Sequence, residues 1–316
     1  MKINSVCVLG GAGFLGRQVV RRLAEQGMRV RVPTRHRERS KGLLVLPTVE
    51  VVNADVLDAQ TLRGLFVETD AVINLVGILH ERRPGEFLRV HADLPRQIVA
   101  ACRDRQVCRL LHVSALKASH GAPSVYLRSK AEGEQQIRAA QAAGIQTTIF
   151  RPSVMFGKED RFFNLFAQLA GVLPVIALAC PHSKLQPVWV ENVAQAMIGS
   201  LEDPGSFQAS YDLCGPRVYS LRELVEFAAS VTGRDPRVVP LNRPLSYLQA
   251  CLMEFLPGKL MTRDNFRSLQ SDNVCDGSLP AIPDWSPDPM EAVVSQYLAP
   301  VSARARYREF RNRAGR

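Results

Sequence analysis

Val6-Cys7-Val8-Leu9-Gly10-Gly11-Ala12-Gly13-Phe14-Leu15-Gly16 decides how the remainder of this 316-residue chain is read. Its first four residues form the short apolar run of a buried strand, and the glycines follow at once. Beyond Gly13, Leu15, Val19 and Leu23 recur at the i, i+4, i+8 spacing of one helix face, and Gly27 is placed to end that helix. Strand, glycine turn and helix in succession are the context in which clustered glycines signal a dinucleotide. Gly10 permits the tight turn, Gly13 lets a pyrophosphate approach the backbone, and Gly16 lets helix and strand pack closely. The helix start, at Phe14 and Leu15, offers free N–H groups to phosphate.

Working outward, β-branched apolar runs alternate with amphipathic stretches over the first 150 residues. Strands are predicted at 3–9, 29–33, 50–54, 70–76, 108–114 and 146–151, and Asp58 is placed to cap a helix after the third. This rhythm predicts βαβ units, and so an α/β fold of the Rossmann type, a doubly wound parallel sheet with a smaller, loop-rich C-terminal substrate or lid region. The expected division is a dinucleotide-binding core at 1–151, a region at 152–300 that partly completes the sheet and roofs its C-terminal edge, and a basic tail at 301–316. Prolines from Pro152 to Pro289 make the second half rich in loops and short helices.

Composition bounds the partners. The net charge is +10, yet seven Lys and 33 Arg are dispersed among 30 acidic residues, without the interleaving of basic and aromatic residues that stacks bases. Nucleic acid is therefore not expected, while acidic lipid at a membrane surface is compatible with the charge. The densest cluster, Arg304 to Arg316 around Tyr307 and Phe310, is read as a solvated terminus. Seven cysteines without a C-x-x-C pair, and no suitably spaced His, predict reduced thiols and no metal. Strand-like residues begin at Ile3, so neither a signal nor a transit peptide is expected, and the reading is cytoplasmic. Phe162 to Cys180 is the most membrane-like segment, but Asn164, Gln168, Gly171 and Pro174 interrupt it. A buried helix followed by a loop is expected there, and no transmembrane segment.

Cofactor choice is read at the end of the second strand, where an NAD enzyme places a carboxylate on the ribose 2′-hydroxyl. Here the chain reads Val32-Pro33-Thr34-Arg35-His36-Arg37. Guanidinium groups without a carboxylate fit a 2′-phosphate, so NADP(H) is expected over NAD(H), with Arg35 as its contact.

Val125-Tyr126-Leu127-Arg128-Ser129-Lys130 contains Y-x-x-x-K. Four-residue spacing puts both side chains on one helix face, where they converge on one ligand. Together with the G-x-x-G-x-x-G turn, it resembles the extended and atypical short-chain dehydrogenase/reductase superfamily, including epimerase and dehydratase-like members. The resemblance implies that Tyr126 exchanges a proton with a substrate oxygen while hydride moves at the adjacent carbon, and that Lys130 lowers the phenol pKa and holds the nicotinamide ribose. It also implies that Asp55-Val56 contacts adenine, that Gly77 lets the cofactor pass, and that Pro152 and Ser153 line its site. The third catalytic group is a hydroxyl at the end of the fifth strand, where the chain reads His112-Val113-Ser114-Ala115-Leu116. Ser114 is the candidate. Extended members commonly carry the hydroxyl two residues further on, where this chain has Leu116, so Ser119 and Ser124 are alternates.

Ser129-Lys130-Ala131-Glu132-Gly133-Glu134, Arg151-Pro152-Ser153, Gln186-Pro187-Val188-Trp189-Val190 and Tyr211-Asp212-Leu213-Cys214-Gly215-Pro216 sharpen the resemblance. Together they are similar to the NADPH-binding accessory subunit family of respiratory complex I and its bacterial relatives, over roughly residues 1–300. Two functions are expected, the first resting on Tyr126 and Lys130 and the second implied by this resemblance. One is an NADPH-dependent oxidoreductase acting on a carbonyl or quinone-like substrate. The other is a structural or assembly module of a respiratory or quinone-pathway complex, peripheral at the inner face of the membrane.

Overall fold

In the computed structural model, which describes residues 2–256, 260–277, 280, 282, 283 and 285–298, six strands fall where the sequence places them. They are β1 Ser5–Leu9, β2 Arg29–Thr34, β3 Val49–Asn53, β4 Ala71–Asn74, β5 Arg109–Val113 and β6 Gln146–Pro152. All pair in parallel in the order β3-β2-β1-β4-β5-β6. The order reverses between β1 and β4, which opens a crevice at the C-terminal ends of the strands. A seventh strand, Ala209–Leu213, pairs in parallel with β6, so the second half of the chain completes the sheet.

Both faces of the sheet are covered, and its central strands β1, β4 and β5 are buried almost throughout, while β2, nearer the edge, alternates exposed and half-buried Arg with buried Val. Val6 and Val8 join Val19, Val20 and Leu23 in a core on one side, while Cys7 and Leu9 join Leu62, Ile98 and Ile137 on the other. The first helix, α1, spans Phe14–Glu25 and is followed by Gly27 at φ +77°; Asp58 caps its helix by accepting from Thr61 N at 2.7 Å. Arg109 is the exception inside β5, fully buried and, among the described residues, in no salt bridge. Its guanidinium instead donates to the carbonyls of Gln146, Ser200 and Leu201 and to the hydroxyls of Thr148 and Ser206, tying β5 to the segment beyond residue 199.

Two expectations are corrected. Phe162–Val172 forms a helix, though it buries only Phe163 and Ala170 rather than lying buried as expected, and the loop after it contains a strand, Val175–Leu178, paired in parallel with Arg237–Pro240. Pro174 ends the helix, and the alternating Val-Ile-Ala-Leu run then finds a partner 62 residues downstream at Arg237. The cysteines are not all reduced: Cys214 and Cys275 form a disulfide with Cα atoms 6.2 Å apart. The two lie 61 residues apart in sequence with no cysteine-pair spacing to link them, so only tertiary proximity reveals the pair. The basic tail at 301–316 lies outside the described residues. Among the described residues, no helix is long and apolar enough to cross a membrane.

Candidate functional site

The glycine turn has the form its spacing requires. Gly10 adopts φ +80°, a conformation that a side chain would strain, and a β-carbon on Gly16 would lie 2.2 Å from the Gly10 carbonyl oxygen. Gly13 precedes α1 and provides no side-chain cap, which leaves the first-turn amides open to an anion. Leu15 is buried in the core and Phe14 packs over Gly157, so these two residues offer a phosphate their backbone and not their side chains.

Around the same edge lie the remaining candidates. Arg35 is exposed just past β2, and Asp55 is exposed past β3 with its Oδ1 accepting from Leu57 N at 3.1 Å. Val56 packs into the second core. Gly77, past β4, is exposed, and a β-carbon there would lie 3.1 Å from Lys130 Nζ. Pro152 and Ser153 are buried at the end of β6, but the Ser153 hydroxyl already donates to Asn273 Oδ1 at 2.5 Å.

Tyr126 and Lys130 lie on the helix Val125–Ala139. Its N-terminus is fixed twice, by Ser124 Oγ on Leu127 N and by Asp264, whose carboxylate accepts from Val125 N at 2.7 Å and Tyr126 N at 3.0 Å. Asp264 belongs to the helix Arg263–Ser268, so the second half of the chain holds the start of the helix that bears Tyr126. Lys130 is 5% exposed, and its ammonium donates to the Val113 carbonyl at 3.2 Å. Burial pushes its pKa down to about 8, opposed by Glu134 one turn on. Burial also pushes the Tyr126 phenol up to about 12. Ser114 is buried beside the end of β5, and its Oγ meets no hydrogen-bond partner among the described residues. Leu116 is 1% exposed; Ser124 is committed to its cap and Ser119 is exposed on the following loop.

Sequence reasoning missed a further residue. His91 Nε2 accepts from Ile78 N at 3.1 Å, so its proton sits on Nδ1, which lies 2.9 Å from Ser129 Oγ; that hydroxyl donates to the Tyr126 carbonyl at 2.7 Å. One ring therefore ties the loop after β4 to the helix bearing Tyr126 and Lys130. Desolvation and the Lys130 charge push the His91 pKa down to about 2, which keeps it neutral. Its position depends on Pro95, which has no N–H for the His91 carbonyl four residues earlier. The helix widens to a π-turn over Arg89–Asp93, and Gly133 fits against the freed carbonyl, where a β-carbon would come within 2.0 Å of the oxygen. Pro95 was the available signal, as a proline inside a helical pattern. Beside this network, Asn74 Nδ2 lies 3.0 Å from His112 Nδ1, and burial holds His112 near pKa 3.

The glycine turn at the switch point and the Tyr/Lys helix face lie at the same C-terminal edge of the sheet, and residues 6–213 match the NAD dependent epimerase/dehydratase family. The chain belongs to that family. It is 33% identical over 262 residues to NADH dehydrogenase (ubiquinone) 1 alpha subcomplex subunit 9 of Arabidopsis thaliana, covering 80% of this chain but 64% of that protein. It is 30% identical over 239 residues to a ceramide reductase of Caulobacter vibrioides, covering 76% of this chain and 74% of that protein. The fold matches dTDP-glucose 4,6-dehydratase from Streptomyces venezuelae, solved with NAD bound, at TM-score 0.73 and 19% identity, over 98% of each chain.

Proposed function

We propose that this family member is an NADP(H)-dependent oxidoreductase that reduces a carbonyl or quinone-like substrate. The observation that carries the reading is the buried Lys130 ammonium directly beside the open face of Gly77, one helical turn from Tyr126. The glycine cradle fits a dinucleotide because side chains at Gly10 and Gly16 would be strained or would collide with the backbone, while the amides at the start of α1 have no capping side chain. When bound, the nicotinamide supplies the hydride.

The chain's own residues account for the rest. Gly10, Gly13 and Gly16, with the Phe14 and Leu15 backbone, would hold the pyrophosphate; Arg35 would pair with a 2′-phosphate, and Asp55 and Val56 would border the adenine. Tyr126, protonated at neutral pH, would donate its proton to the substrate oxygen as negative charge develops there. Lys130 would hold the ribose and stabilise the resulting phenolate. Ser114, with an unsatisfied hydroxyl, would support the substrate oxygen. The ceramide reductase relative supports a long apolar carbonyl substrate. The expected result is NADPH binding tighter than NADH in titration calorimetry, with the preference lost in Arg35→Asp. Unchanged turnover in Tyr126→Phe would refute the catalytic assignment.

One observation favours a second reading, a cofactor-bound structural module of a respiratory or quinone-pathway complex. Leu116 fills the position where related enzymes carry a hydroxyl, and the Arabidopsis relative is a subunit of NADH dehydrogenase. Nucleotide that copurifies and does not exchange would favour the module; weak, exchangeable binding favours turnover. For either reading we propose a cytoplasmic protein, peripheral at the inner face of a membrane.

A further inference from the structure

The helix Arg243–Glu254 is turned inside out. It buries Ser246 and Ala250 and exposes Leu245 (47%), Leu248 (53%) and Leu252 (64%), and the segment after it continues with Phe255 (85%) and Leu256 (50%). Positions 245, 248, 252 and 255 fall on one helix face, so large apolar side chains form a stripe directed away from the protein. Specific bonds hold that orientation: Cys180 N donates to Ser246 Oγ at 3.2 Å, and Gln249 Nε2 donates to the Ala177 carbonyl at 2.8 Å. Val172, Leu173 and Val175, just before and at the start of the strand these bonds reach, are exposed as well. A contiguous apolar surface of this kind marks an interaction site.

We infer that this face docks on an anionic lipid bilayer, with the helix Arg243–Glu254 lying in the plane of the interface. Charge selects this occupant. Arg243 and Arg267 are exposed on the two helices at the stripe, while Glu254 is matched by Arg263 and the half-buried Asp264 is turned inward onto the Val125 and Tyr126 amides. A net charge of +10 repels a second copy of the chain and attracts acidic headgroups. Another face of the same helix connects to the proposed site: Tyr247 packs edge-on against Phe266, on the same helix as Asp264, which caps the helix bearing Tyr126. Docking of this helix would set the element that caps the Tyr126 helix close to the bilayer, where an apolar carbonyl substrate of the class proposed above would be dissolved.

The test is flotation of the full-length protein with vesicles of phosphatidylglycerol and phosphatidylcholine, at low and high salt, read without substrate or cofactor. Wild type is expected to float with the anionic vesicles and to release as salt rises. Leu252→Glu and Phe255→Glu should each weaken binding about tenfold or more, with melting temperature and NADPH affinity retained. Three results would overturn the inference: no flotation of wild type, flotation of both variants equal to that of wild type, or loss of flotation on removing residues 301–316 alone. A concentration-dependent dimer abolished by Leu252→Glu would also overturn it, in favour of a second copy. None of these results bears on Tyr126→Phe turnover, so the reductase reading stands or falls separately.

Discussion

His91 holds Ile78 through a 3.1 Å bond from the Ile78 amide to its Nε2, and so fixes the loop after β4 against the helix that carries Lys130. Replacement by Leu leaves the Ile78 amide and the Ser129 hydroxyl short of a partner, at a cost of about 1–3 kcal/mol for each group. Glutamine offers an acceptor and a donor at similar reach. His91→Leu should therefore lower stability in urea unfolding and weaken NADPH binding, and His91→Gln should recover much of both; equal losses in the two variants would remove the bond from the argument.

Buried histidines also set the acid limit of the fold. His91 and His112 are held neutral near pKa 2 and 3 by burial, against 6.5 for a free imidazole. Below pH 6.5 the unfolded chain takes up protons that the folded chain refuses, so stability is lost as pH falls toward 3. The expected slope is up to about 2.7 kcal/mol per pH unit for two groups. Urea unfolding between pH 4 and 7 measures it, and His112→Asn should flatten it.

Lys130 runs in the opposite direction on the pH scale. Its folded pKa of about 8 lies below the unfolded 10.5, so the cost of burying the charge is fully present below pH 8 and is relieved as pH rises toward 10.5. Lys130→Met should raise the melting temperature of the nucleotide-free protein at pH 7, by up to about 3 kcal/mol in stability, while weakening NADPH binding. Calorimetry with and without nucleotide separates the two effects. A lower melting temperature would show that the Val113 carbonyl bond outweighs the desolvation.

Gly133→Ala puts a β-carbon against the His91 carbonyl oxygen, backbone that cannot rotate away. The helix bearing Tyr126 must then shift, at a cost of about 1–3 kcal/mol or more. Loss of NADPH-dependent turnover should exceed that of Gly121→Ala, since Gly121 has open space around it.

The Cys214–Cys275 disulfide fastens the end of the seventh strand to the segment whose Asn273 engages Ser153. Cys214→Ser with Cys275→Ser should cost about 2–5 kcal/mol in reversible unfolding. Thiol titration of the denatured, unreduced protein should find five free cysteines; seven would show that the pair is reduced.

Local sequence determined the parallel sheet and the glycine turn. β1 through β6 each announce themselves by a short apolar run next to a helix face or a turn residue, and the constraint on Gly16 is set by Gly10 six residues away. The Tyr126 and Lys130 pairing was equally legible, because a helix fixes which residues share a face. Tertiary structure alone decided what faces that pair. Asp264 reaches Tyr126 N across 138 residues, His91 meets Ser129 across 38, and Cys214 finds Cys275 across 61. Periodicity gives the face of an element but not its neighbour. The helix Arg243–Glu254 makes the same point from outside: its apolar spacing predicts burial, and only the bonds at Ser246 and Gln249 turn that spacing toward solvent.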